Sequence, residues 1–117
     1  MGDLSPHFSR SEFECKCGCG FNTADAELIE ILEDVRTHFN QAVKITSAAR
    51  CFEHNQRVGG SAKSQHLLGR AADIVVRDTD PEEVARYLKL TRSKGGIGSY
   101  STFTHVDSRD VRAIWEG

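Results

Sequence analysis

Apolar residues recur at helical spacing in two stretches of the chain. The first stretch predicts a helix over about 24–39, with Thr23 as its cap. The second predicts a helix that begins at Pro81 and ends at about Arg92. Both have acidic residues in the first turn, where the helix dipole favours negative charge. Each helix should therefore turn one apolar face toward a core. In the first helix this face comprises Leu28, Leu32, Val35 and Phe39.

Other short segments have the patterns of β-strands. Residues 43–47 alternate apolar and polar positions, whereas residues 71–76 are mostly apolar, as in a buried strand. Residues 97–100 and 103–107 are short enough to pair as a hairpin, and residues 111–115 trail behind it. The order helix, strand, strand, helix, hairpin predicts an α+β fold, in which a small antiparallel sheet is flanked by helices.

The composition is that of one globular domain, residues 1–117. The chain is 38% hydrophobic and 27% charged, without an internal repeat or linker. A net charge of −2 without a basic cluster argues against nucleic acid as a partner. The apolar runs are too short for a signal peptide or a membrane span, so we expect no membrane insertion. We also expect a monomer.

Histidine and aspartate, which are common metal ligands, occur together in two segments, 64–73 and 104–107. Asp73 falls inside the predicted buried strand, where an unpaired carboxylate would cost several kcal/mol. Arg70 could compensate its charge, but a divalent metal ion would do so more strongly. His66 and His105 are ligand types that suit zinc, and three protein ligands with an open fourth position are typical of hydrolytic zinc. These three residues therefore predict a Zn²⁺ site.

Asp107 and Arg50 are the other candidates for chemistry. Strand alternation places Asp107 on the same face as His105, where it could orient a histidine or accept a proton from the attacking water. The sequence leaves both roles open. Arg50 follows the predicted strand 43–47, and such an arginine commonly forms only a surface ion pair.

The segment SQHLLGRAAD, residues 64–73, has the order Ser-X-His and then Gly-X-Ala-X-Asp, and His105 follows later in the chain. These motifs resemble those of zinc peptidases of bacterial cell walls: D-Ala-D-Ala carboxypeptidases, D-Ala-D-Ala dipeptidases and phage L-alanyl-D-glutamate endolysins. The similarity runs from about Leu4 to Trp115, includes Ser47-Ala48-Ala49-Arg50, and is close to the compact phage-type branch.

The resemblance implies a fold and a set of roles. The fold is the zinc fold that D,D-peptidases share with a hedgehog-like signalling domain. His66, Asp73 and His105 would bind Zn²⁺, Arg50 would stabilise an oxyanion or a substrate carboxylate, and Ser64 would contact the peptide. The substrate would be a stem peptide of peptidoglycan, cleaved either at a terminal D-Ala or inside the stem.

One position departs from the resembled family. Several members have an acidic base three residues before the last histidine ligand, where this chain has Thr102. A threonine hydroxyl is not a general base at neutral pH, so Asp107 takes this role in our interpretation. The related signalling domain keeps such a site without peptidase activity. The alternative function is therefore a zinc-stabilised module that binds wall peptide or a protein without cleaving it.

The absence of a signal peptide and the small size favour synthesis in the cytoplasm and phage-type release toward the cell wall.

Four cysteines remain without a role in this scheme. Cys15, Cys17 and Cys19 lie within five residues and could form part of a second metal site, with Cys51 or a histidine as the fourth ligand. Alternatively, Cys51 packs near this N-terminal loop, with a disulfide possible outside the cytoplasm.

Overall fold

Five short strands form one mixed sheet in the computed structural model, which describes residues 2–117. The strand order is β1-β2-β4-β3-β5, and each neighbouring pair is antiparallel except β3 and β5, which are parallel. The predicted α+β class and the hairpin of β3 and β4 are confirmed, and β5 adds a parallel edge. The strands are β1 Val43–Ser47, β2 Ala71–Val76, β3 Gly96–Ser99, β4 Thr104–Asp107 and β5 Ala113–Glu116.

Three α-helices and two short 3-10 helices complete the described residues 2–117. Helix α1 is capped by Asp25 rather than Thr23, because the Asp25 carboxylate accepts a hydrogen bond from the Leu28 N–H group. Pro81 begins α3, as predicted. Helix α2 is not predicted by the apolar pattern, because it is too short to carry an apolar stripe. The α-helices are α1 Ala26–Phe39, α2 Phe52–Arg57 and α3 Pro81–Thr91, and the 3-10 helices are Arg10–Phe13 and Gln65–Leu68.

Strand alternation gives the sheet two different faces. Along β2, Ala72, Ile74 and Val76 belong to the buried core, which also includes residues of α1 and α3. Asp73 lies between two of these positions in the strand and therefore points to the opposite face. One face thus packs against helices while the other is left for a polar site. No helix in residues 2–117 has the length and apolar character needed to span a bilayer.

The segment before α1 is attached to that helix through Glu33. The Glu33 carboxylate accepts hydrogen bonds from Ser5 Oγ at 2.6 Å and from the His7 backbone N–H at 2.9 Å, and it contacts His7 Nδ1 at 2.7 Å. Burial tends to raise the pKa of Glu33, but the hydrogen bonds from Ser5 and His7 outweigh it, and the pKa lies below its ordinary value. The ionised carboxylate therefore stabilises the folded state.

We expect Glu33→Gln to lower the free energy of unfolding by about 1–3 kcal/mol at neutral pH, because a neutral amide replaces a charged acceptor. A carboxyl whose pKa is lowered by folding stabilises fully above its unfolded pKa, and the effect is lost as the pH falls through the folded pKa. The difference between wild type and variant in urea unfolding should therefore shrink in acid. Exposed Glu30→Gln on the same helix is the control, and an equal loss in both variants would contradict the assignment.

Candidate metal centre

The strand registers align five residues in one row across the sheet. Ser47 is paired with Asp73, Asp73 with His105, His105 with Gly98, and Gly98 with Trp115. Directly opposed residues have their side chains on the same face of the sheet. The row therefore places a carboxylate and an imidazole side by side, and its glycine leaves space above the sheet.

Three side chains of the types that bind metal ions meet at this row. One donor atom from each of His66, Asp73 and His105 lies within 4.8 Å of the others, and all three residues are buried. Asp73 Oδ1 is 3.3 Å from His66 Nε2 and 3.0 Å from His105 Nδ1. The structure thus brings together the three ligands predicted from the sequence, from β2, β4 and a 3-10 helix.

The local sequence explains how His66 reaches Asp73. Ser64 caps the 3-10 helix Gln65–Leu68, since its Oγ accepts a hydrogen bond from the His66 N–H at 3.1 Å. Gly69 ends the helix with φ 68°, and a Cβ there would lie 2.5 Å from the Thr23 carbonyl oxygen. In the two motifs, Ser64 is therefore the helix cap, His66 is a candidate ligand, Gly69 is the site of the chain reversal, and Asp73 lies in strand β2.

The outer nitrogen of each histidine ring is already engaged. His66 Nδ1 lies 2.6 Å from the Ala48 carbonyl oxygen, which can only accept, so Nδ1 carries the proton. His105 Nε2 lies 2.8 Å from Asp107 Oδ2 and donates to that carboxylate. This leaves His66 Nε2, His105 Nδ1 and an Asp73 oxygen converging as electron-pair donors. A proton shared between His105 Nδ1 and Asp73, or a cation, can offset the repulsion among these electron pairs, and nitrogen and oxygen donors fit a divalent metal ion.

Asp107 lies behind His105 and has no exposed surface. Its carboxylate accepts from Gly96 N–H at 2.8 Å and forms a bidentate pair with Arg109, with Nε–Oδ1 and Nη2–Oδ2 distances of 2.8 and 2.7 Å. With His105 as well, every contact of this carboxylate is with a donor. Of the two roles left open by the sequence, the geometry favours orienting His105 over accepting a proton as general base.

The charges of the site explain its ionisation. Burial tends to raise the pKa values of Asp73 and Asp107, but hydrogen bonds outweigh this effect and hold both pKa values well below the usual range. The hydrogen bonds to Asp73 come from His105 and His66, and those to Asp107 come from His105 and Arg109. Burial tends to lower the pKa of His105, but its hydrogen bonds to Asp107 and Asp73 outweigh this effect and raise it. Both carboxylates are therefore ionised and attract positive charge.

Arg50, and not Arg70, is the cation beside Asp73. Arg50 Nη2 is 3.3 Å from Asp73 Oδ2, and its Nε and Nη1 donate to Ser47 Oγ and Asn55 Oδ1 at 3.2 Å each. Arg70 is three residues from Asp73, so alternation turns it away, and it forms an ion pair with exposed Asp110 at 3.6 Å. The interpretation of Arg50 as part of a surface ion pair is thus wrong, because its side chain is only 14% exposed.

A cleft of about 530 Å³ opens above these residues. Arg50, Lys63 and Arg109 line it, and Asp73 is its only acidic lining residue in the described part of the chain. Ser64 also lines it, whereas exposed Thr102 does not. A cleft with this charge favours an anionic ligand.

Three aromatic residues form one wall of the cleft. The rings of Tyr100 and Phe103 stack at 4.4 Å, and Trp115 Nε1 donates to the Tyr100 hydroxyl at 2.8 Å. The Trp115 ring is 5.0 Å from the His105 ring because Gly98 has no side chain, and a Cβ at Gly98 would lie 2.6 Å from Trp115 Nε1. Sequence reasoning gave no role to Tyr100, Phe103 or Lys63. Only the tertiary structure brings these residues together.

Comparison with known families is consistent with this geometry. The family model described as Peptidase M15 matches residues 6–107. The matched span contains all three candidate ligands and ends at Asp107. No curated protein matches the chain.

Removal of either histidine should abolish metal binding at this centre. His66→Ala and His105→Ala each remove one of three protein donors, so we expect each to lose high-affinity binding of a divalent metal, measured by competition with a chromophoric chelator. His38→Ala, an exposed histidine outside the site, is the control. Unchanged affinity at this site in both ligand variants would contradict the assignment.

Proposed function

The chain belongs to the peptidase M15 family, a family of metallopeptidases, and we propose that it hydrolyses a peptide bond in the stem peptides of bacterial peptidoglycan with zinc as its metal. The observation that carries the proposal is the position of three converging buried donors, from His66, Asp73 and His105, at the base of a cation-lined cleft. A buried donor cluster that opens onto a cleft is suited to chemistry, since a substrate can reach it.

Zinc is proposed because two imidazoles and one carboxylate form a set typical of catalytic zinc sites. His66 would bind through Nε2 and His105 through Nδ1, as the hydrogen bonds to Ala48 and Asp107 require. Zinc at such a site polarises a carbonyl oxygen and activates water for attack near neutral pH.

The substrate class is proposed from the charge of the cleft. Stem peptides of peptidoglycan carry carboxylates, and Arg50, Lys63 and Arg109 present positive charge along the cleft. The aromatic wall formed by Tyr100 and Phe103 offers an apolar surface for the remainder of a peptide. Both bond types stay open: a terminal D-Ala bond, as in a carboxypeptidase, or a bond within the stem, as in an endopeptidase of the endolysin type.

Arg50 is the proposed residue for holding substrate. Its Nη1 and Nη2 each carry a second N–H group, which takes part in no hydrogen bond among residues 2–117. Because Asp73 and Asn55 fix the guanidinium plane, these groups can donate to a carboxylate or to a developing oxyanion without reorganisation. Ser64, which lines the cleft, is proposed to contact the peptide through its hydroxyl.

A non-catalytic binding module is the second candidate, and a specific observation favours it. Thr102 stands where resembled peptidases have an acid and is exposed outside the cleft, while Asp107 is buried and fully engaged. Such a protein would bind wall peptide or a protein through the same cations without cleaving a bond.

Product analysis separates the two candidates. Zinc-loaded protein should be incubated with soluble peptidoglycan fragments and the products identified by mass, with His66→Ala as the inactive control. We expect fragments shortened by hydrolysis, and their masses define the bond. Saturable binding with unchanged fragment masses would instead support the binding module.

We expect Arg50→Lys to keep the fold and the metal but to lose most activity, about 10²–10³ in kcat, because an ammonium group cannot reproduce the fixed planar donors. The matched control is exposed Arg57→Lys on α2, which should hydrolyse normally. Wild-type turnover in Arg50→Lys would remove Arg50 from the proposed site.

Asp107→Asn tests the two roles of that residue. If Asp107 orients His105, the variant should bind zinc about 10–100-fold more weakly, because a neutral amide supports the imidazole less well. This is the result we expect, with exposed Asp110→Asn as the control. Wild-type zinc affinity combined with a loss of about 10²–10⁴ in rate would instead identify Asp107 as the general base.

A further inference from the structure

The four cysteines form a second cluster of metal-binding atoms, separate from His66, Asp73 and His105. Their sulfur atoms all lie within 4.8 Å of one another. The Sγ–Sγ distances are 3.4 Å between Cys15 and Cys17, 3.6 Å between Cys17 and Cys51, and 3.9 Å between Cys15 and Cys51. The expectation that Cys51 packs near the N-terminal loop is thus confirmed.

These separations match a tetrahedral metal site rather than disulfides. Zinc–sulfur bonds of about 2.3 Å in tetrahedral geometry place sulfur atoms about 3.8 Å apart. A disulfide bond is much shorter, at about 2.0 Å. All four cysteines are free thiols in the structure. Two separate disulfide bonds would also not require all four sulfur atoms to lie within 4.8 Å of one another.

Backbone N–H groups also point at the sulfur atoms. The Cys51 N–H donates to Cys15 Sγ at 3.4 Å, and the His54 N–H donates to Cys51 Sγ at 3.4 Å. Hydrogen bonds of this kind stabilise negative charge on sulfur, and thiolate is the form that binds metal.

We propose that Cys15, Cys17, Cys19 and Cys51 bind a structural zinc ion. Four thiolates complete a tetrahedral shell and leave no open position for substrate, so this site contributes to folding and not to the reaction. The proposal does not depend on the proposed peptidase function, because it concerns other residues and another kind of site.

A zinc ion at this position would connect two segments of the fold. It would link the N-terminal loop to the residue after Arg50, at the end of β1. The same two segments are joined by the hydrogen bond from Ala49 N–H to the Phe13 carbonyl oxygen at 3.1 Å, and Arg50 N–H donates to the His66 carbonyl oxygen at 3.0 Å. Metal binding here would therefore hold the backbone of Arg50 in place from outside the cleft.

Metal content of the purified protein tests the proposal. Protein produced with added zinc and purified without chelator should contain about two zinc ions per chain by elemental analysis, and His66→Ala should retain about one. Adding Cys19→Ser to His66→Ala should remove most of the second ion. Lys16→Ser, an exposed position between two of the cysteines, is the matched control and should lose nothing.

Cobalt substitution identifies the ligands even where a cysteine variant folds poorly. Folded His66→Ala protein loaded with Co²⁺ should show the strong thiolate-to-cobalt charge-transfer absorption of a sulfur-ligated tetrahedral site. The proposal is overturned if His66→Ala protein holds no metal, if its cobalt spectrum lacks thiolate bands, or if the mass of the native protein shows disulfides among these cysteines.

Discussion

The buried charge of Asp73 is the constraint on which the site depends. A carboxylate in the middle of a sheet, beside an apolar core, costs several kcal/mol unless cations compensate it. Arg50 compensates from one side, and the two imidazoles face Asp73 from the other side, where their nitrogens and the carboxylate can together bind a cation. Local structure brings both histidines to one Asp73 oxygen. The Ser64 cap and the chain reversal at Gly69 place His66, and the register of β2 and β4 places His105.

A second set of residues keeps this arrangement rigid from behind. Asp107 holds His105 in one tautomer and is itself held by Arg109 and the Gly96 N–H. Arg109 also lies over the Trp115 ring, with Cζ 5.3 Å from its centroid, so the support of the histidine is continuous with the aromatic wall of the cleft. The proposed thiolate site would act similarly on Arg50. His105 is thus positioned by the buried Asp107, and Arg50 would be positioned by the proposed thiolate site.

Sequence reasoning selected His66, Asp73 and His105 as candidate ligands because Asp73 interrupts an apolar strand and the motifs that contain the two histidines resemble those of zinc peptidases. It placed β1, β2, α1 and α3 to within a few residues, since each has a clear period. It did not predict contacts between residues that are distant in the sequence. Arg50 replaced Arg70 as the partner of Asp73, because the faces of the strand decide the contact and nearness in sequence does not. Strand β5 is too short to show a period, so its parallel pairing with β3 was not visible.

We expect Asp73 to bind a metal ion together with two histidines whose outer nitrogens are engaged elsewhere. Anomalous diffraction at the zinc edge, from crystals of the zinc-loaded protein, tests it directly. We expect a peak bonded to an Asp73 oxygen, His66 Nε2 and His105 Nδ1 at about 2.0–2.2 Å. A peak bound through His105 Nε2, with Asp107 displaced, or no peak beside Asp73 at full zinc loading, would contradict it.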